Sequence, residues 1–272
     1  MVGTVTPSPR QSLWRRAAPH VFGLALVEWA LSFALARRIV TAFALPLEAH
    51  PAGGDAVLSE DGRVALELYF ARSAELPPAL AAVALYALLA LLVTAPLHGA
   101  LPSLARGLPR NPWAQSISKT PTLIALAIAQ CTLVALFLLA VRGPVSSTAI
   151  DALSRATPLA IGSFAALLAV IWAILGALRV LFALARGAAV GGQTTRAALT
   201  HALATLRRRP IRLVLSRLVL DVAGLALAAL ATVAPAAAAV GASLVTHVGH
   251  VSLELAWLDR ALDGLPTPAP TD

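Results

Sequence analysis

Six stretches of this chain stay apolar for long enough to cross a lipid bilayer, and no other feature limits its fold as severely. A helix needs about 20 mostly apolar residues to span the hydrocarbon core. Inside that core, backbone amides must be satisfied within the protein, which leaves helices or closed barrels as the spanning forms. The first stretch runs from His20 to about Leu45 and the second from Ala79 to about Leu97. The third runs from Thr122 to Val141 and the fourth from Pro158 to about Ala183. The segment from Leu213 to Leu258 is too long for one crossing. Pro235 near its middle divides it into a fifth helix ending near Ala234 and a sixth starting near Ala236.

Composition supports the same reading. Hydrophobic residues make up 58% of the 272 and charged residues 12%, about half the charged share of soluble domains. A soluble globular fold and a disordered chain are both excluded. The net charge of +8 does not signal nucleic acid, because no polar surface segment interleaves basic and aromatic residues. Twenty arginines against the single Lys119, in an alanine-rich chain, suggest GC-rich coding and a bacterial source. Cys131 is the only cysteine, so no intramolecular disulfide forms.

The expected architecture is all-α: six transmembrane helices and one cytoplasmic interfacial amphipathic helix. A tail of residues 1–19 leads into a transmembrane domain, 20–258, followed by a tail of 259–272. Orientation comes from the basic residues near the span ends. Arg10, Arg15, Arg16, Arg106, Arg110, Lys119, Arg179, Arg186, Arg196, Arg207, Arg208, Arg209, Arg212, Arg217 and Arg260 fall on one side. Arg37, Arg38, Arg63, Arg72, Arg142 and Arg155 fall on the other. The split is fifteen to six, which puts both termini in the cytoplasm of a bacterial inner membrane. Ala34-Leu35-Ala36 also fits a signal-peptide cleavage site, but Glu28 interrupts the apolar run and Arg37-Arg38 would follow the cut.

Outside the spans, the external loop 46–78 carries the turn signal Ser59-Glu60-Asp61-Gly62 and reads as a solvated connector or a small lid. The cytoplasmic loop Gly99 to Pro121 holds Pro102, Pro109, Pro112 and Pro121, a density that forbids a long helix. Its Trp113 is expected at headgroup level. The interfacial helix, 194–209, begins after Gly191-Gly192 with Thr194 or Thr195 as cap. Leu199, Leu203 and Leu206 share one of its faces. Arg196, Arg207, Arg208, Arg209 and Arg212 are placed to meet anionic phospholipid headgroups.

Ionisable residues inside spans are costly and mark the places to look for chemistry. Glu28 lies in the first helix, Arg179 in the fourth, Arg217 and Asp221 in the fifth, and His247, His250 and Glu254 in the sixth. His247, His250 and Glu254 share one helical face. Three readings follow. Glu28, Asp221, His247, His250 and Glu254 can form an ion or proton pathway. His247, His250 and Glu254 can hold a transition metal if another helix adds a ligand. Alternatively the groups are interhelical polar glue, with Arg217 and Asp221 as a local pair. An intramembrane serine protease is a remote further reading. Ile161-Gly162-Ser163-Phe164 lacks the glycine frame of a rhomboid-type nucleophile, and the zinc-protease pattern His-Glu-x-x-His is absent. No cofactor is expected.

One resemblance adds to this. The run Thr194-Thr195-Arg196-Ala197-Ala198-Leu199-Thr200-His201-Ala202-Leu203, then Leu206-Arg207-Arg208-Arg209-Pro210, precedes an apolar helix. The second span exits as Leu97-His98-Gly99-Ala100-Leu101, followed by Leu104-Ala105-Arg106-Gly107. These motifs resemble the six-helix bacterial membrane domains related to the membrane region of some glycerophosphodiester phosphodiesterases. The resemblance implies a six-helix membrane domain and, without a matching catalytic segment, no phosphodiesterase activity. The function expected is non-enzymatic: a scaffold, an assembly partner or a small transport component, acting with another membrane protein or a second copy. The alternative is an ion- or proton-coupled permease.

Overall fold

A computed structural model describes residues 9–48, 85–86, 88–89, 94–107, 111–155, 157–232 and 236–262. Among these residues there is no strand. The helices are α1 (Pro9–Glu48), α2 (Ala100–Ala105), α3 (Pro112–Ser118), α4 (Thr120–Arg155), α5 (Pro158–Val190), α6 (Thr195–Arg208), α7 (Pro210–Thr232) and α8 (Ala236–Ala261). Three stretches are long and apolar enough to cross a membrane: Arg16–Arg37 within α1, Thr120–Ala152 within α4, and all of α5. The external loop and most of the second span lie outside the described residues, as does Pro235 at the expected break.

The chain divides into two compact units. One comprises residues 26–94, where Trp29 and Phe33 stack with centroids 6.0 Å apart on α1. The other comprises residues 1–25 and 95–272. In this larger unit α4 pairs with α5, α6 folds back on α5, α7 packs on both α5 and α8, and α2 packs on α5 and α8. Its core gathers Leu24 from α1, Leu101 from α2, Leu123 and Leu126 from α4, Phe182 and Leu184 from α5, and Leu255 and Leu258 from α8.

The outer faces of the long helices are apolar and uncovered. Leu136, Leu139, Ile150, Leu159, Val219 and Val245 are all exposed. Only 11% of the apolar window of α4 is buried. Exposure on this scale would be unsustainable in water and is what lipid-facing helices require.

Sequence signals set the helix starts. Pro158 opens α5 at a position that needs no amide hydrogen, and Thr157 accepts from the Ala160 amide. Thr194, rather than Thr195, caps α6 by accepting from the Ala197 amide, and Gly192 adopts φ +100° just before it. Asn111 caps α3, with Pro112 next. The proline-dense loop holds only two short helices, as its prolines demand.

Three expectations are corrected. The third span does not stop at Val141: α4 continues through Pro144 to Arg155. In the turns beyond the apolar run, Ser146 and Thr148 donate to the Arg142 and Pro144 carbonyls, and Arg155 pairs with Asp151 at 2.7 Å in an i, i+4 ion pair. Hydropathy marks where lipid ends, not where hydrogen bonding ends. The fourth span likewise runs on to Val190, because its last two turns are buried in protein. Finally, the three leucines of α6 do not act as one face: Leu199 and Leu206 pack against the core beside the fully buried Ala198 and Ala202, whereas Leu203 is exposed. Small side chains let α6 approach α5 closely.

The end of α5 is tied down from the proline-rich loop. Arg106 donates to the Gly187 carbonyl at 2.8 Å, and Gln115 donates to the Val190 carbonyl at 2.7 Å. These bonds satisfy last-turn carbonyls that a helix cannot satisfy itself, and the Arg106 charge suits the negative helix end. Trp113 packs here too, its ring 5.8 Å from that of His20 and 3.8 Å from the Cβ position of Gly23. It therefore joins the core, beyond the headgroup role expected from sequence. Replacing Arg106 by leucine should lower stability by about 1.5–3 kcal/mol, the range for a hydrogen bond from a charged group. Thermal unfolding in detergent measures it, and an unchanged midpoint would show that the bond is dispensable.

Candidate functional site: a buried ion network beside a cavity

Arg217 and Asp221 stand four residues apart on α7 and so share one face. Packing turns that face toward α5 and α8. The Asp221 carboxylate meets two guanidiniums: Arg179 of α5 donates to Oδ2 at 2.9 Å, and Arg217 Nε lies 3.2 Å from Oδ1. Arg217 reaches on to Glu254 of α8, with Nη1 3.5 Å from Oε1. His250 Nε2 stands 4.0 Å from Glu254 Oε2. The alternating order Arg179, Asp221, Arg217, Glu254 leaves each buried charge next to an opposite one.

Burial makes this arrangement stringent. The side chains of Arg217 and Asp221 are each 7% exposed, and Glu254 is 12% exposed. An isolated charge at such depth carries a large desolvation cost, and a partner offsets much of it. Arg217 Nε is close to Asp221 without the alignment of a hydrogen bond, so that link rests on charge. The Arg217 guanidinium also lies 5.5 Å from the centre of the Trp257 ring, within cation–π range. Trp257 is held in turn by its indole N–H, which donates to Ser216 Oγ at 2.9 Å.

Beside the network opens a cavity of about 460 Å³. Its charged end is formed by Arg179, Arg217 and Asp221, with His247 and His250 from α8. Trp172, Leu225 and Ala228 line the rest, with Gly224 and Thr246 between. Gly224 is placed for a reason: a Cβ there would stand 3.0 Å from His250 Nδ1. Thr246 donates to Ala242 and Leu227 carbonyls, linking α8 to α7.

The sequence candidates divide accordingly. Asp221, His250 and Glu254 come together, and His247 joins them along the cavity. Glu28 sits, half-buried, on the stretch of α1 that belongs to the second unit. The pairing of Arg217 with Asp221 was legible from spacing. The contributions of Arg179, Trp172 and Trp257 were not, since each comes from another helix. For a metal, the described residues contain no group of three His, Cys, Asp or Glu able to hold one. His247 Nδ1 is 2.8 Å from the Ser243 carbonyl of its own helix, while Glu254 faces Arg217. The Ser163 hydroxyl donates to the Ala160 carbonyl at 2.8 Å, a bond within its own helix turn. Arg196, Arg207, Arg208, Arg209 and Arg212 are all exposed at or after α6.

His98, two residues before α2, feels this cluster. Burial lowers its imidazole from 6.5 to about 4, with Arg186 and His250 pushing the same way and Glu254 opposing. Between those two values the unfolded chain takes up a proton that the folded chain refuses. Stability should therefore fall as pH drops from about 6.5 toward 4. His98→Gln should flatten that part of a stability–pH profile; an identical slope in the variant would remove His98 as its source.

A scan against protein-family models, a search of curated proteins and a search of solved structures each return no match for this chain.

Proposed function

We propose that this chain is a multi-pass integral protein of a bacterial inner membrane, with six spans, cytoplasmic termini and a non-enzymatic role as a scaffold or small transport component. The observation that carries the proposal is the inversion of polarity. Long helices leave apolar side chains exposed along their outer faces, while Arg179 of α5, Arg217 and Asp221 of α7 and Glu254 of α8 are joined in one network. The fifteen-to-six partition of basic residues supports the orientation. The exposed arginines at α6 suit a boundary with anionic headgroups, and the six-helix bacterial domains noted above fit the same picture.

Alkaline extraction and cysteine labelling test this. In a Cys131→Ser background, single cysteines placed in the 1–19 and 259–272 tails should resist an impermeant maleimide in intact cells and react after lysis. Release of the protein by carbonate would reject the membrane assignment. Labelling of either tail in intact cells would reject the orientation.

A second reading, an ion or proton pathway, is favoured by the way Asp221, His247 and His250 border one cavity. Against it, both Asp221 oxygens already face guanidiniums. Proton flux in proteoliposomes separates the two. Flux that survives Asp221→Asn and Glu254→Gln unchanged would end the pathway reading.

A further inference from the structure

We propose that the cavity between α5, α7 and α8 binds an amphiphilic anion: an oxyanion head, carboxylate or phosphate, joined to a short hydrocarbon chain. The head is placed by Arg179. Its side chain is 48% exposed, whereas its partner Asp221 is 7% exposed. A guanidinium has five N–H donors. One of these is bonded to Asp221, and Arg179 borders the cavity. Arg217 lies in the same wall but is shared between Asp221 and Glu254, which leaves Arg179 as the more exposed cation at the cavity. An anion entering beside Arg179 therefore meets the half-exposed guanidinium, whose planar fork suits carboxylate or phosphate oxygens.

The chain requirement follows from the other end. Trp172 precedes Arg179 by seven residues on α5, and Ala228 follows Asp221 by seven on α7. Both intervals span about 10 Å of helix. Trp172, Leu225 and Ala228 make that end largely apolar, with the Thr246 hydroxyl bonded to the Leu227 carbonyl beside it. A cavity of about 460 Å³ with charge at one end and an indole and alkyl wall at the other fits a head with several methylenes, and fits a bare inorganic ion poorly.

The full-length protein, purified in an uncharged detergent, is titrated calorimetrically with three probes. Octanoate represents a free organic acid, dioctanoyl phosphatidylglycerol an anionic lipid, and octyltrimethylammonium a cation of the same chain length. Saturable binding of octanoate, or of the lipid alone, supports the site and identifies the source of the head group. Arg179→Gln should weaken that binding at least tenfold, with partial recovery in Arg179→Lys. Ala228→Phe fills the apolar end without touching a charge and should weaken binding comparably. The proposal is overturned if neither anion saturates, if the cation binds as tightly, or if Ala228→Phe binds like the parent. Binding in detergent does not depend on orientation, so failure here leaves the membrane proposal standing.

Discussion

Replacing Arg217 by methionine is expected to lower stability by about 3–5 kcal/mol, the range for removing one partner of a buried ion pair. Methionine preserves most of the side-chain volume, so the loss reports charge and not a cavity. Arg217 is the only link between Asp221 and Glu254 in the network, and it lies in the protein interior with Trp257 against it. Its removal leaves Asp221 with Arg179 but separates Glu254 from its nearest guanidinium. Adding Glu254→Gln to the methionine variant should recover part of the loss. Residues in one ion network usually show coupling of about 0.5–3 kcal/mol in such a cycle. Thermal unfolding of the four proteins in one detergent gives the measurement. Strictly additive effects would mean that the Arg217–Glu254 contact contributes nothing.

Two glycine substitutions should move stability in opposite directions. Gly99 stands immediately before α2, in an ordinary right-handed helical conformation, so its backbone alone would accept alanine. Space decides the outcome. A Cβ at Gly99 would come within 2.7 Å of Leu123 Cδ1 and would collide with the Ser116 hydroxyl, which itself donates to the Pro96 carbonyl. Leu123 is fully buried and Ser116 is a short side chain with its hydrogen bond already made, so neither can yield cheaply. Gly99→Ala should cost about 1–3 kcal/mol, as overpacking of a filled core does. Gly162 lies inside α5 with nothing within 4 Å of its Cβ position. There alanine removes backbone freedom from the unfolded chain without a clash, and should stabilise by about 0.4–1 kcal/mol. A destabilised Gly162→Ala together with a neutral Gly99→Ala would overturn the packing described for both positions.

The Gly99 case illustrates why parts of this fold could be read in advance and parts could not. Capping is local: Thr157 followed by Pro158, Thr194 after Gly191-Gly192, and Asn111 before Pro112 each act on amides within three residues. The start of α6 at Thr194 was therefore legible, while the Thr157 and Asn111 caps, equally local, emerged with the structure. Helix ends were less so. The run of apolar residues in α4 stops near Val141, but the backbone remains helical to Arg155, because the helix ladder is made by backbone groups and does not require apolar side chains. In α6, spacing put Leu199, Leu203 and Leu206 on one face, but Ala198 and Ala202 are its most deeply buried residues, with Leu199 and Leu206 packed beside them, because two helices approach most closely where side chains are smallest.

By itself the sequence determined the apolar surroundings that this chain requires. Long apolar runs leave no soluble alternative, and scarce charges stand out against them. It also determined the i, i+4 pairing of Arg217 with Asp221, because one helix repeat sets that distance. Only the tertiary structure decided that Arg179 completes the Asp221 site, that Arg217 continues to Glu254, and that a cavity opens beside them with Trp172 at its far end. Those contacts depend on how α5, α7 and α8 are rotated about their axes and how far each is shifted along its neighbours. Neither quantity is encoded in spacing along one helix. Both are set jointly by small residues such as Gly176, where Leu218 packs against α5, and by the cost of leaving any of the four charges without a partner.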